Sequence, residues 1–275
     1  MKRYIAILVA LLVTNFALAQ EEQATVQSVE QENSQTAETE VATLTPEQMW
    51  MVANEAYNNG EYARAVELYE SILSEQMHSA ELYYNLGNAY YKQEMLGKAI
   101  VNYNRALRLA PSDEDIIHNL EYATQATKDN IEEIPTFFLI TWVRHVRNLM
   151  GCNAWTIISL LTFALALITM LVFLLAERMS LRKSSFYCMC VAAIIFLVST
   201  TFAYQTHQAL TNSNEAVIMS SAVPVKSSPD RAATDLFVVH EGTKLSLGER
   251  IDGWVEIRIA DGRKGWVETS RIEII

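Results

Sequence analysis

The feature that most constrains this chain is a recurrence at 34 residues. Residues 80–113 read AELYYNLGNAYYKQEMLGKAIVNYNRALRLAPSD, and residues 46–79 keep the same register without a gap. Ala53 falls under Gly87, Ala65 under Ala99, Tyr69 under Tyr103 and Ile72 under Ala106. A period of this length marks an array of supersecondary units, each of which buries its apolar face by stacking on a neighbour. Within the unit, the small residues Gly87, Ala99 and Ala106 stand where two helices cross closely. Tyr83, Leu86, Tyr90 and Tyr103 fill the space beside them. Pro111 is expected to end the second helix, because it lacks an N–H and its ring clashes with the preceding turn. Asn59-Gly60 supplies the turn within the first unit, and Thr45-Pro46-Glu47-Gln48 carries a capping box with proline at the first helical position. The first unit is more divergent, with Met49 and Val52 where the second has Tyr83 and Leu86.

The spacing of Tyr83, Leu86, Gly87, Tyr90, Ala99, Tyr103, Ala106 and Pro111 resembles the tetratricopeptide signature, which implies an all-α helical-repeat scaffold that binds proteins. A domain over 45–130 is expected, with repeats at 46–79 and 80–113. One more shift places Leu120 under Leu86, but Glu121 takes the small-residue position. Residues 114–128 are therefore expected to form a lone capping helix, started by Ser112 and Asp115, since an array needs a polar-backed end.

A groove can be read from the same register. Trp50, Asn54, Tyr57 and Asn58 share one helical face. Shifted by 34 they become Tyr84, Asn88, Tyr91 and Lys92, and then His118, Tyr122, Gln125 and Ala126. Aromatic rings offer contact area and amides can bond a peptide backbone, which suits an extended segment. The competing reading is that these residues pack against the next helix. Asn54 and Asn88 match asparagines of tetratricopeptide domains that clamp a terminal carboxylate. Trp50 and Tyr84 replace the lysines of that clamp, so carboxylate recognition is not expected.

Hydrophobic content is uneven along the chain. Residues 1–19 begin with Lys2 and Arg3, continue with an apolar run and end at Ala17-Leu18-Ala19, the pattern of a secretory signal peptide. Residues 20–44 are rich in Glu, Gln, Ser and Thr without an aromatic, and are expected to be a disordered acidic linker. Residues 155–176 and 186–204 are uncharged and long enough to cross about 30 Å of hydrocarbon. The nine residues between them, 177–185, carry Arg178, Arg182 and Lys183, which points that loop to the cytoplasm. A two-helix transmembrane hairpin in the cytoplasmic (inner) membrane follows, with both soluble regions on the periplasmic side. Residues 135–153 alternate Phe137, Phe138, Ile140, Trp142 and Val143 with Arg144, His145 and Arg147. They read as an interfacial amphipathic segment, or else as a connector packed on the repeats.

After residue 215 the pattern turns to short valine-rich runs. They are broken at Glu241-Gly242, Asp252-Gly253 and Asp261-Gly262, which suggests a small all-β barrel over 215–275. Val239 to Thr243, Asp252 to Ile257 and Gly262 to Val267 resemble the bacterial SH3-like family. The resemblance implies peptide or peptidoglycan binding, with Trp254 and Trp266 as ligand candidates. Trp266, following Gly265 in a strand, reads more readily as core.

The net charge of −11 sits mostly on the repeats and linker, which would repel nucleic acid. The five histidines, His78, His118, His145, His207 and His240, are scattered and read as exposed or capping residues. No catalytic motif and no phosphate loop is present. No enzyme activity, cofactor or metal is expected. Cys152 lies a membrane thickness from Cys188 and Cys190, too far for a disulfide, and the latter two point to different helix faces.

The domain order, together with the FFL…W…NAW lead into the first span, resembles the BatE-like proteins of the Bacteroides aerotolerance (Bat) operon. That resemblance implies protein partners, von Willebrand A-type Bat proteins and a MoxR-type ATPase, and a part in aerotolerance and envelope integrity.

Overall fold

A computed structural model describes residues 44–129, 131, 137–212 and 214–275. The expected leader over 1–19 and nearly all of the linker lie outside the described residues.

Among the described residues five helices come first: α1 (Pro46–Asn58), α2 (Tyr62–Ser74), α3 (Ala80–Lys92), α4 (Leu96–Leu109) and α5 (Glu114–Gln125). Thr45 caps α1 in a capping box closed by Gln48, with Pro46 in the first turn. Gly60 makes the following turn at φ +82°. The close crossing is realised at Gly87, where a Cβ would stand 2.7 Å from Tyr103 Cε1. Ala53, Ala65, Ala99 and Ala106 are fully buried around Tyr69, Tyr103, Leu86 and Leu68. The cap of α5 differs from expectation. Asp113 is the N-cap, its carboxylate accepting from the N–H groups of Asp115 and Ile116. Its short side chain stands at the β-region residue just outside the helix, where capping geometry requires it.

Next come α6 (Phe138–Asn148), α7 (Cys152–Leu175) and α8 (Met179–Thr211). No residue of α6 is fully buried, but Arg147 and Asn148 at its C-terminal end line a cavity with Asn104, Leu107 and Arg108 of α4. Helices α7 and α8 are long and apolar enough to cross a membrane. The connection between them is Ala176 to Arg178, shorter than the loop expected over 177–185. Residues 179–185 contain no Gly or Pro, so their charges end the apolar stretch without ending the helix. The paired faces of α7 and α8 bury Ser159, Ser185, Ala192 and Ser199, and Ser159 Oγ meets Thr200 Oγ1 at 2.7 Å. Their large side chains face outward, Leu161 and Leu174 being 66% and 62% exposed.

Seven strands end the chain: β1 (Glu215–Ile218), β2 (Val223–Lys226), β3 (Asp235–Val239), β4 (Lys244–Ile251), β5 (Trp254–Arg258), β6 (Lys264–Glu268) and β7 (Ile272–Ile274). They form one antiparallel sheet in the order β3-β2-β6-β5-β4-β1-β7. Ile218, Val223, Val225, Val239, Leu245, Val255, Ile257 and Val267, drawn from six strands, share one core cluster. The sheet therefore curls over its own inner face, helped by irregularities at Val225/Lys226 and Leu247/Arg250.

The sheet docks on the helices. In β1, Ile218 faces the sheet's core, while Val217 joins the helical core together with Ile275. Alternation along the strand sends neighbouring side chains to opposite faces, and here both faces are covered. Helix α4 is correspondingly buried nearly all round, including Val101, Asn102 and Asn104.

Candidate peptide groove

The groove residues sit on α1, α3 and α5, the first helix of each unit. Two adjoining cavities, of about 320 and 330 Å³, run along this face. The first is lined by Asn54, Tyr57, Asn58, Tyr69, Asn85 and Asn88. The second adds Tyr84, Tyr91, Lys92 and Tyr122, with Tyr103 and Asn119 at its floor. Tyr57 touches both, so the two form one trough.

The structure divides the candidates into wall and floor. Asn54 Oδ1 accepts from Tyr69 Oη at 2.6 Å and from Asn85 Nδ2 at 3.2 Å. One unit later Asn88 Oδ1 accepts from Tyr103 Oη at 2.7 Å and from Asn119 Nδ2 at 2.9 Å. The same two bonds recur 34 residues apart. Each asparagine thus ties the second helix of its own unit to the first helix of the next. The packing reading describes their carbonyl oxygens; both residues also line the trough, and their Nδ2 groups have no protein partner among the described residues. Burial pushes the Tyr69 hydroxyl up to about 12, only partly offset by the Asn85 hydrogen bond. It pushes Tyr103 up further, so both phenols stay protonated donors at neutral pH.

Trp50 and Tyr84 also keep the repeat. Their rings lie 5.7 Å from Tyr69 and 6.1 Å from Tyr103. Tyr84 lines the trough and its hydroxyl accepts from Asn119 Nδ2 at 2.9 Å. Trp50 lies against the helical core and lines neither cavity. Tyr91 and Tyr122 meet at 5.7 Å, Tyr122 being 59% exposed. Asn58 and Lys92 are exposed on the rim. His118 is exposed and lines neither cavity; the neighbouring Asn119 faces the trough instead. Asn85 and Asn119 escaped the sequence reading, although their own 34-residue spacing was visible there.

In the sheet, Trp254 lines a cavity of about 700 Å³ with Asp230, Arg231, Asp252 and Glu268. An ion pair, Arg231 Nε to Glu268 Oε1 at 2.7 Å, crosses it. Trp266 is paired in register with Glu256 and Lys226 and is partly exposed. Its expected core place is corrected. Gly265 and Val267 turn inward on β6 and are buried, so the residue between them turns outward. Gly265 approaches so closely that a Cβ there would meet Val225 Cγ1 at 2.5 Å.

The five histidines are not all isolated. His240 Nδ1 pairs with Asp129 Oδ1 at 2.6 Å, and Asp129 Oδ2 also accepts from the His240 N–H and from Thr243 Oγ1. The three cysteines are free thiols.

The helix crossing at Gly87, the 34-residue bond pattern and the stop at Pro111 lead to one assignment. Residues 80–113 form a tetratricopeptide repeat. The family model matches that segment, and no curated protein matches the chain. The repeat is a protein–protein interaction module.

Proposed function

We propose that the chain is a non-enzymatic scaffold, held in the cytoplasmic membrane by α7 and α8, whose trough takes an extended segment of a partner protein. The observation that carries this reading is the trough itself. Two repeated asparagines that line it are fixed by their oxygens, their amide donors have no protein partner among the described residues, and Tyr57, Tyr84, Tyr91 and Tyr122 line it beside them. Fixed amide donors beside rigid rings are what an extended peptide backbone needs. The inverted polarity of the hairpin supports membrane anchoring: small and hydroxylated residues lie between the helices and large apolar ones face out. The leader pattern over 1–19 and the basic residues Arg178, Arg182 and Lys183 at the turn of the hairpin support a periplasmic position for both soluble parts. The resemblance to BatE-like proteins supports a Bat-type complex linked to aerotolerance and envelope stress, with von Willebrand A-type proteins as the partners.

The test is co-purification of the full chain with a von Willebrand A-type Bat protein from membranes. Retention by the wild type, lost on Tyr122→Ala with Lys92→Ala, is the expected result. Failure to retain the partner, or equal retention by the double variant, counts against the reading.

A second reading makes the sheet an SH3-like module that binds peptidoglycan. The wide cavity at Trp254 supports it. Binding of the chain to purified sacculi, abolished by Trp254→Ala, would favour this second reading over the first.

A further inference from the structure

A third cavity, of about 260 Å³, lies where four parts of the chain meet: α4, α6, the C-terminal end of α8, and the sheet. Three cations line it, Arg108, Arg147 and Lys244, against one side-chain carboxylate, Glu215. Arg108 is spent on main-chain carbonyls, donating to Ile275, Ala209 and Leu210 at the end of α8. Lys244 bonds Glu215 at 3.0 Å and Asn104 Oδ1 at 3.2 Å. Arg147 is different. Its Nε and Nη2 both rest on Asn148 Oδ1, at 3.1 and 3.0 Å, and it has no carboxylate partner among the described residues.

A second, independent observation points into the same cavity. Thr206 lines it, and Thr206 Oγ1 is buried without any hydrogen-bond partner. Buried hydroxyls are nearly always bonded, so a donor and an unmatched cation stand side by side. Burial and, after it, the like charge of Arg144 hold the Arg147 guanidinium below its ordinary value. An anion beside it would relieve both.

The height of the cavity identifies the source of that anion. Trp155 Nε1 donates to the Arg147 carbonyl at 2.8 Å, and the Trp155 ring meets Phe202 at 5.0 Å. Tryptophan favours the membrane–water boundary. Thr206 stands one turn beyond Phe202 on α8. The cavity therefore lies at headgroup level, with the exposed apolar flanks of α7 and α8 running below it.

We propose that this cavity holds the phosphate of an anionic phospholipid headgroup from the outer leaflet, with Arg147 as its charge partner and Thr206 Oγ1 and Lys244 Nζ as further donors. This rests on the membrane-anchored reading, and the test separates the two. Membranes carrying the full chain are first extracted with alkaline carbonate. The chain is then purified in detergent and titrated with phosphatidylglycerol, phosphatidylcholine or inorganic phosphate, and bound adducts are counted by native mass spectrometry. The chain should resist carbonate, retain phosphatidylglycerol, and bind phosphatidylcholine and inorganic phosphate far more weakly. Arg147→Gln should weaken phosphatidylglycerol binding by about tenfold or more, the worth of a charge-assisted hydrogen bond. Thr206→Val keeps the side-chain shape and should weaken it less, and Arg147→Lys should restore most of it. Release by carbonate would sink the anchoring and this site together. A carbonate-resistant chain that binds phosphatidylcholine equally, that prefers inorganic phosphate, or that is unaffected by both Arg147→Gln and Thr206→Val would overturn the site alone.

Discussion

Single residues in the repeat divide sharply between those that hold the fold and those left exposed along the trough. Asn88 accepts from both Tyr103 and Asn119. Asn88→Ala strands two donors, so a loss of about 1–3 kcal/mol is expected, read as a lowered urea midpoint. Lys92→Ala removes an exposed side chain and should change stability by at most about 0.5 kcal/mol. If the two variants melt alike, the asparagine is not the tie that the bonds describe. Gly87 is a closer balance. Alanine gains about 1 kcal/mol in helix propensity, but its Cβ would meet the buried Tyr103 ring at 2.7 Å, an overpacking that costs about 1–3 kcal/mol. The clash should win, and Gly87→Ala should lower the melting temperature. A rise would mean that α3 and α4 can part enough to admit the methyl group that Ala53 carries at the same place in the first unit.

At the scale of elements, the joint between helices and sheet stands out. Helix α4 has no cap from its own neighbourhood. The Glu241 carboxylate, 144 residues away, accepts from the Gly97 N–H at 3.0 Å and meets the positive end of the helix dipole. Gly242 follows at φ +86°, where a Cβ would stand 2.5 Å from Thr127 Cγ2. Conformation and closeness both demand glycine there. Just after α5, Asp129 binds the same turn. Burial works against its charge but is outweighed by the hydrogen bonds of Thr243 and His240 and by the His240 charge, so its pKa lies below the ordinary value. A depressed carboxylate pKa stabilises the fold above the unfolded value of about 4, and that contribution disappears as pH falls through the lower folded value. Asp129→Asn should therefore be less stable than wild type at pH 7, with the gap closing below about pH 4. A gap that stayed constant with pH would rule out the charged contribution.

For the whole molecule, the shared core has a consequence for cooperativity. Val217 and Ile275 lie in the helical core, and Arg105 bonds Glu273 at 3.0 Å and the Ile274 carbonyl at 2.8 Å. Repeats and sheet should unfold together, so in detergent the loss of far-UV helix signal and of near-UV tryptophan signal should coincide in one transition. Two separated transitions would show that the joint is weak.

Much of this protein was legible in the chain alone. The repeat at 80–113, the helix pair before it, the Thr45 capping box, the turn at Gly60 and the stop at Pro111 are set by contacts a few residues apart or by an exact 34-residue period. The apolar helices were equally plain, because length and lack of charge are local properties. Their joining loop was misjudged, since charge was taken as a helix end. What only the tertiary structure decided involves partners more than a hundred residues apart: Glu241 capping α4, Asp129 holding His240, and Arg108, Arg147 and Lys244 converging on one cavity. The same holds for Asn54 and Asn88. Their recurrence was visible, but only the placement of Tyr69, Tyr103, Asn85 and Asn119 determined that their oxygens serve the fold and their amides are left without a protein partner among the described residues. Periodicity records which residues share a helix face; which neighbour covers that face is settled by packing between distant segments, and no local pattern encodes it.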